Sequence, residues 1–396
     1  MKDIAASFLK IGATAYGGPA IMGVMQAEFQ EKRQWVSKPR FLEGLSLVNV
    51  LPGATAVQLG IFLGYERGGL LGGLVAGLCF AAPGFLVMLA LALTYATLGV
   101  SPILRGALYG LGPVVVAIFI VALFRLGRSA MRALPHRLIA AGAAALALLS
   151  PLGTVAILLL AGGVGLLLFH GKRAGAIVLL VLAAALALML IVAWSPLAPL
   201  AAIGTSPRLG SVVGLFATIG AFTFGGGLSM IALMDEHVVN RLHWLSSEEF
   251  IAGLALGQLT PGPVLMIAAY VGYKLLGLGG AIAAAVAAFL PSFVLMLAIL
   301  PAFDRVRRLA WTKAFIQGVA PAVIGVMAVM LARLAPQAAP DPLAIAVLVL
   351  SVAVLLLWQL APLKVMAAGA ILGILRNRLC ELPALRAVLC TGVWGR

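Results

Sequence analysis

Apolar residues gather into runs close to membrane-crossing length along almost the whole chain. The runs lie at 4–27, 41–65, 70–98, 104–124, 152–169, 174–194, 211–234, 248–272, 277–300, 313–334 and 342–358, with shorter or polar-ended ones at 138–149 and 363–375. A helix needs about 20 apolar residues to cross a bilayer. Alternating segments of about ten residues, the mark of membrane strands, are missing, and no open sheet could satisfy its backbone in hydrocarbon. The pattern predicts an all-α, polytopic membrane protein.

The runs repeat. Gly12-Ala13-Thr14-Ala15-Tyr16-Gly17-Gly18-Pro19 returns 208 residues later as Gly220-Ala221-Phe222-Thr223-Phe224-Gly225-Gly226-Gly227. The same offset carries Met22 to Met230, Glu28 to Glu236, Pro83 to Pro291, Gly110 to Gly318 and Pro113 to Pro321; one inserted residue aligns Trp35 with Trp244 and Leu51-Pro52-Gly53 with Thr260-Pro261-Gly262. Scattered Gly, Pro, Trp and Glu in one register mark a tandem duplication. The expected organisation is an N-terminal repeat at 1–172, a linker helix and loop at 173–208 and a C-terminal repeat at 209–396. The boundary rests on Ser195-Pro196 through Ser206-Pro207-Arg208, which break the apolar pattern.

Composition agrees with a membrane chain: 63% of residues are hydrophobic and 10% charged, against roughly 25% charged in an average soluble domain, and mean hydropathy is +1.15. The formal net charge of +15 does not point to nucleic acid, because no soluble domain presents it. Bases cluster instead in short loops, at Arg125, Arg128, Arg132 and Arg137 and at Arg305, Arg307, Arg308 and Lys313, as cytoplasmic loops do. These rich loops occupy non-equivalent places in the two repeats, so the halves are expected to be inverted. A count of six crossings per repeat plus a linker helix at 174–194 gives thirteen spans, but sets 28–40 opposite the basic loop at 125–137. Folding 41–65 as a re-entrant pair removes that conflict and upsets the parity of the linker.

Two breaks per repeat carry the candidate chemistry. Gly17-Gly18-Pro19 and Pro52-Gly53 interrupt apolar runs in the first repeat, and Gly225-Gly226-Gly227 and Pro261-Gly262 do so in the second. Proline removes a donor and clashes with the preceding turn, while glycine accepts non-helical backbone. An interrupted helix exposes N–H groups bearing partial positive charge, a ready anion site, and paired breaks in two halves mark transporter binding sites. Close-packing kinks are the alternative. Asn49, Thr55 and Gln58 around Pro52, with Gln258 and Thr260 before Pro261, are expected to complete a shell for an oxyanion.

Glu28 and Glu236 are the matched acids, candidates to carry a proton or shape a gate, or else solvated interface residues. Arg67 and Lys274 either draw anions toward a vestibule or snorkel. His237, His243, Asp235 and Glu236 fit no metal-ligand spacing, and Cys79, Cys380 and Cys390 show neither Cys-x-x-Cys nor disulfide spacing. No phosphate loop is present, so ATP is not the driver from this chain, and no nucleophile–base pair suggests an enzyme. The N-terminus reads as mature sequence entering the first helix. Neither cofactor nor metal is expected; the partners are a small oxyanion and the lipid bilayer, with a homodimer left open.

Tyr16-Gly17-Gly18-Pro19 followed by Met22, Glu28, Arg33 and Trp35, then Leu51-Pro52-Gly53 with Gln58, resembles the signature of the chromate transporter family. Phe224-Gly225-Gly226 through Glu236, Trp244 and Thr260-Pro261-Gly262-Pro263 resembles the second half of its long, two-domain members. The resemblance covers both repeats. It implies export of chromate from the bacterial cytoplasm through the inner membrane, linked to the proton-motive force, with sulfate as the close structural mimic, and halves of opposite orientation. Ala54, Ile21-Met22 and Gly227 depart from the family pattern beside the proposed site, which leaves sulfate or another small anion as the alternative substrate.

Overall fold

The computed structural model describes residues 1–15, 18–98, 101–131, 133–150, 152–171, 173, 176, 177, 180, 206–224, 228–302, 310–358 and 360–380. The linker helix expected at 174–194, apart from residues 176, 177 and 180, and the basic loop at 303–309 lie outside the described residues. Among the described residues each repeat contributes seven helices. The first holds α1 (Lys2–Thr14), α2 (Gly18–Met25, continued by a π-helical turn Gln26–Lys32), α3 (Lys38–Val50), α4 (Thr55–Leu98), α5 (Pro102–Ala130), α6 (Leu134–Leu149) and α7 (Thr154–Phe169). The second holds α8 (Leu209–Ala221), α9 (Leu228–Met234, continued by a π-helical turn Asp235–Arg241), α10 (Ser247–Leu259), α11 (Ile267–Ile299, after a 3-10 turn Val264–Met266), α12 (Ala310–Ala338), α13 (Pro342–Leu357) and α14 (Pro362–Cys380). No strand occurs among the described residues. The duplication read in the sequence is thus a duplication of structure, down to the π-helical turns.

Local signals set the element starts. Ser37 accepts the Arg40 N–H ahead of α3, and its equivalent Ser246 forms a capping box with Glu249 ahead of α10. Pro102 and Pro342 sit in the first turns of α5 and α13, behind the caps Ser101 and Asp341.

The broken segments do not cross the molecule; they double back. Asp3 and Arg33 meet at 2.6 Å, and Phe8 stacks on Phe29 with ring centroids 4.7 Å apart, so α1 and α2 are antiparallel arms of one hairpin. Arg40 and Glu66 meet at 2.8 Å and the Arg40 guanidinium lies over Phe62, so α3 and the 55–67 arm of α4 form a second hairpin folded at Pro52-Gly53. A 13-residue arm is about 20 Å long, too short for a hydrocarbon core of about 30 Å. Glu249 and Lys274, 2.8 Å apart, close the corresponding hairpin of α10 and α11. The runs at 4–27 and 41–65, like those at 211–234 and 248–272, are therefore re-entrant pairs, and the thirteen-span count gives way. Pro and Gly reveal that a helix stops, but not that the chain reverses there.

After each second hairpin the helix turns again, at Gly68–Gly69 in α4 and Leu276–Gly277 in α11. The long arms then run antiparallel to each other: Gly73 faces Leu297 and Gly77 faces Phe293 at one end, while Lys274 lies over Tyr95 at the other. The two repeats are inverted. Hairpins of the first repeat open on one face, here the near face, and those of the second on the far face. In the first repeat α4 and α5 are long and apolar enough to cross a membrane, and in the second their counterparts α11 and α12 are; α6, α7 and α13 are shorter apolar helices packed beside them. Glycines let these helices touch: a methyl on Gly318 would strike the Ala161 carbonyl, and one on its equivalent Gly110 the Gly369 carbonyl.

Candidate functional site

The hairpin tips meet halfway between the faces and exchange hydrogen bonds. The Gly53 N–H donates to the Thr223 carbonyl at 2.7 Å, and the equivalent Gly262 N–H donates to the Ala15 carbonyl at 2.9 Å. Each second hairpin thus grips the first break of the opposite repeat. Both glycines have positive φ, +126° and +90°, a conformation that strains other residues. Ala54 N–H donates to Ser292 Oγ at 2.8 Å, which ties the first tip to the long arm of α11.

Four half-helix N-termini, which carry partial positive charge, and the four C-termini that precede them therefore converge in one layer. Gly18 and Pro19 open α2 and Thr55 opens α4; Tyr16, Gly17, Gly225, Gly226 and Gly227 lie outside the described residues. Pro52 and Pro261 sit at the tips, where their missing N–H groups cost no helical bond. Gln58 is wholly buried; its Nε2 donates to the Pro52 carbonyl at 2.6 Å, while its Oε1 finds no partner among the described residues. Thr55 and Thr260 are buried, and the Thr260 hydroxyl donates to the Leu256 carbonyl at 2.8 Å. Asn49 is exposed and folded back on the Leu45 carbonyl, and Gln258 is half-buried. The Gly53, Ala54 and Gly262 N–H groups are committed to protein acceptors, whereas the first N–H groups of a helical arm have no partner within the helical ladder.

The matched acids sit far from this layer, at the hairpin mouths. Glu28 pairs with Arg33 at 2.7 Å and Lys32 at 3.7 Å, and the Arg33 hydrogen bond holds its carboxyl below the usual range. Glu236 accepts the Thr154 N–H at 2.6 Å and lies 3.3 Å from Arg241, so it caps α7 of the other repeat. Arg67 stacks over Trp35 at 5.7 Å, and Lys274 is held by Glu249. No cluster of three metal-ligating side chains occurs among the described residues.

Sequence reasoning missed Ser292, and it weighed Asp235 only as a metal ligand. Ser292 follows Pro291, the partner of Pro83, but its equivalent is Gly84, so the repeat comparison hid it. Asp235 was visible beside Glu236 at the end of an apolar run, yet its surroundings come from α6, α7 and α12.

The chromate transporter family model matches the chain twice, at residues 2–166 and 210–374. The chain belongs to the chromate transporter family. It is 30% identical over 385 residues to the chromate transport protein of Cupriavidus metallidurans, covering 94% of this chain and 92% of that one. It is 32% identical over 354 residues to the probable chromate transport protein of Synechococcus elongatus, with 86% of both chains covered. It is 34% identical over 336 residues to the chromate transport protein of Pseudomonas aeruginosa, covering 81% of this chain and 78% of that one. No solved structure matches. Membership of this family, together with the membrane-length apolar helices, makes the chain a multi-pass membrane transporter.

Proposed function

We propose that the protein exports chromate across the bacterial inner membrane, driven by the proton-motive force, as two transporter repeats at 1–172 and 209–396 joined by the linker at 173–208. The observation that carries this reading is the reciprocal pair Gly53–Thr223 and Gly262–Ala15, which draws the four breaks, and with them four half-helix N-termini, together at mid-depth. Partial positive charge without a fixed cation suits an oxyanion that must bind and leave. The binding layer comprises Gly18, Pro19, Pro52, Gly53, Thr55 and Gln58 from one repeat and Thr260, Pro261 and Gly262 from the other, with Asn49 and Gln258 at its margin; Gly17, Gly225, Gly226 and Gly227 are candidates by sequence and lie outside the described residues.

Orientation follows from charge. Lys32, Arg33, Lys38, Arg40, Arg67, Arg128 and Arg137 stand toward the near face, which is assigned to the cytoplasm. The far face then meets the outside.

Because Ala54 and Ile21-Met22 flank the tips, sulfate is the competing substrate. Chromate flux into inside-out vesicles under an imposed pH gradient, with sulfate as competitor, tests both. Gradient-dependent chromate uptake supports the proposal; sulfate uptake with no chromate uptake moves the substrate to sulfate, and uptake of neither removes this function.

A further inference from the structure

A cavity of about 230 Å³ opens on the far face where the mouth of the α8–α9 hairpin meets the α6–α7 turn and α12. Its walls are unlike the apolar groove between α6 and α7: Ser150, Thr154, Asp235, Glu236, Arg241 and Arg333 line it. Asp235 is the buried charged member, only 4% exposed. Asn240 Nδ2 donates to its Oδ2 at 2.9 Å, and among the described residues Asp235 makes no ion pair. The charged groups facing it are Glu236 and Arg241 on its own helical turn and Arg333 on α12, whose guanidinium donates to the Ala147 carbonyl at 3.1 Å. From α6 and α7 come only Ser150 and Thr154, which do not titrate, and the neighbouring His237 ring is engaged with the Leu233 carbonyl.

The repeats are asymmetric at this point. The position 208 residues earlier is Ala27, so the first repeat has no such acid. The paired acids Glu28 and Glu236 each have a basic partner; Asp235 does not.

We propose that Asp235 is a proton-binding site of the transporter, loaded from the far-face solution through this cavity. A buried carboxylate that makes no direct ion pair is costly while charged and takes up a proton readily. Burial pushes its pKa up to about 6, in a turn outside the face-to-face helices. With Asp235 ionised, two carboxylates face two guanidiniums; protonation leaves Glu236 against Arg241 and Arg333, a net positive cavity beside the Glu236 cap on Thr154. Proton uptake on the outside thereby changes the field at a contact joining the two repeats. The site rests on the reading of the protein as a proton-driven exporter, and it adds the residue that takes the proton.

Two measurements test it. In inside-out vesicles with an acid lumen, the stimulation of chromate uptake by the gradient should disappear in Asp235→Asn and return in Asp235→Glu; stimulation retained in Asp235→Asn overturns the proposal. Infrared difference spectra of the purified protein between pH 8 and pH 5 need no transport. A carboxylic C=O band that appears on acidification in the wild type and is missing from Asp235→Asn supports the site, and an identical band in both overturns it. If the wild type carries no chromate while the band behaves as expected, the substrate reading fails and the proton site stands.

Discussion

The Gly53 amide donates to the Thr223 carbonyl across the boundary between the repeats, at 2.7 Å, and the Gly262 amide repeats the bond to Ala15 at 2.9 Å. Inversion puts two tips that enter from opposite faces into one layer. Neither repeat can form that layer alone.

Gly53→Ala and Gly262→Ala should both impair transport, but unequally. Positive φ at either position costs an L-residue about 1–2 kcal/mol. At Gly53 the new methyl also meets Gln58 Nε2 at 2.5 Å and the Ser292 hydroxyl, whereas at Gly262 the nearest atom is 3.5 Å away. Thermal unfolding in detergent should show the larger loss for Gly53→Ala; equal losses would mean that side-chain crowding at the first tip is unimportant.

Ser292→Ala removes the acceptor of the buried Ala54 N–H. Leaving that donor unpaired should cost about 1–3 kcal/mol. Gly84→Ser, its mirror, would press against the Pro261 carbonyl, which lies 2.6 Å from a Cβ there, and should destabilise as well. Stability curves of the two variants check both, and a neutral Ser292→Ala contradicts the assigned bond.

Gln58→Leu should reduce chromate flux while the protein remains in the membrane. The substitution keeps the bulk but loses both the donor to Pro52 and the unpartnered Oε1. Flux per molecule in vesicles is the readout, and unchanged flux would remove Gln58 from the site.

The acids differ in their pH signatures. The hydrogen bond from Arg33 depresses the Glu28 pKa, so its stabilising contribution is present above the ordinary carboxylate range and fades only as pH falls through the lower folded value. Glu28→Gln should leave the pH profile between 5 and 8 unaltered, and its stability cost should stay within about 1 kcal/mol, as for exposed pairs. Asp235 behaves oppositely. With a folded pKa raised to about 6, the native state holds the extra proton, and stability falls as pH rises from the unfolded carboxylate value through 6. Asp235→Asn should therefore be more stable than wild type at pH 7.5, with the gain gone near pH 4; a constant difference across that range would deny the linkage.

Much of this was legible in the residues. The 208-residue offset fixed the pairing of helices before any coordinates, and Gly and Pro marked all four breaks. Reversal at the breaks was not legible, because a proline ends a helix whichever way the chain leaves. It shows only in long-range pairs such as Asp3–Arg33 and Arg40–Glu66, whose members read separately as loop charges. The partners of the Gly53 and Gly262 amides were hidden for a related reason: backbone carbonyls carry no sequence signature. Asp235 looked like one of several mouth acids until packing removed its water.

The most direct test of the inverted, re-entrant arrangement is side-specific labelling of single cysteines in a protein whose Cys79, Cys380 and Cys390 are replaced by Ser. Lys38→Cys and Arg67→Cys flank the first re-entrant hairpin, and Glu248→Cys and Gly279→Cys flank the second; all four positions are exposed. An impermeant thiol reagent should reach the first two from the cytoplasmic side only and the second two from the outside only. Labelling of Lys38→Cys and Arg67→Cys from opposite sides would make 41–65 a crossing helix and contradict the fold on which the site depends.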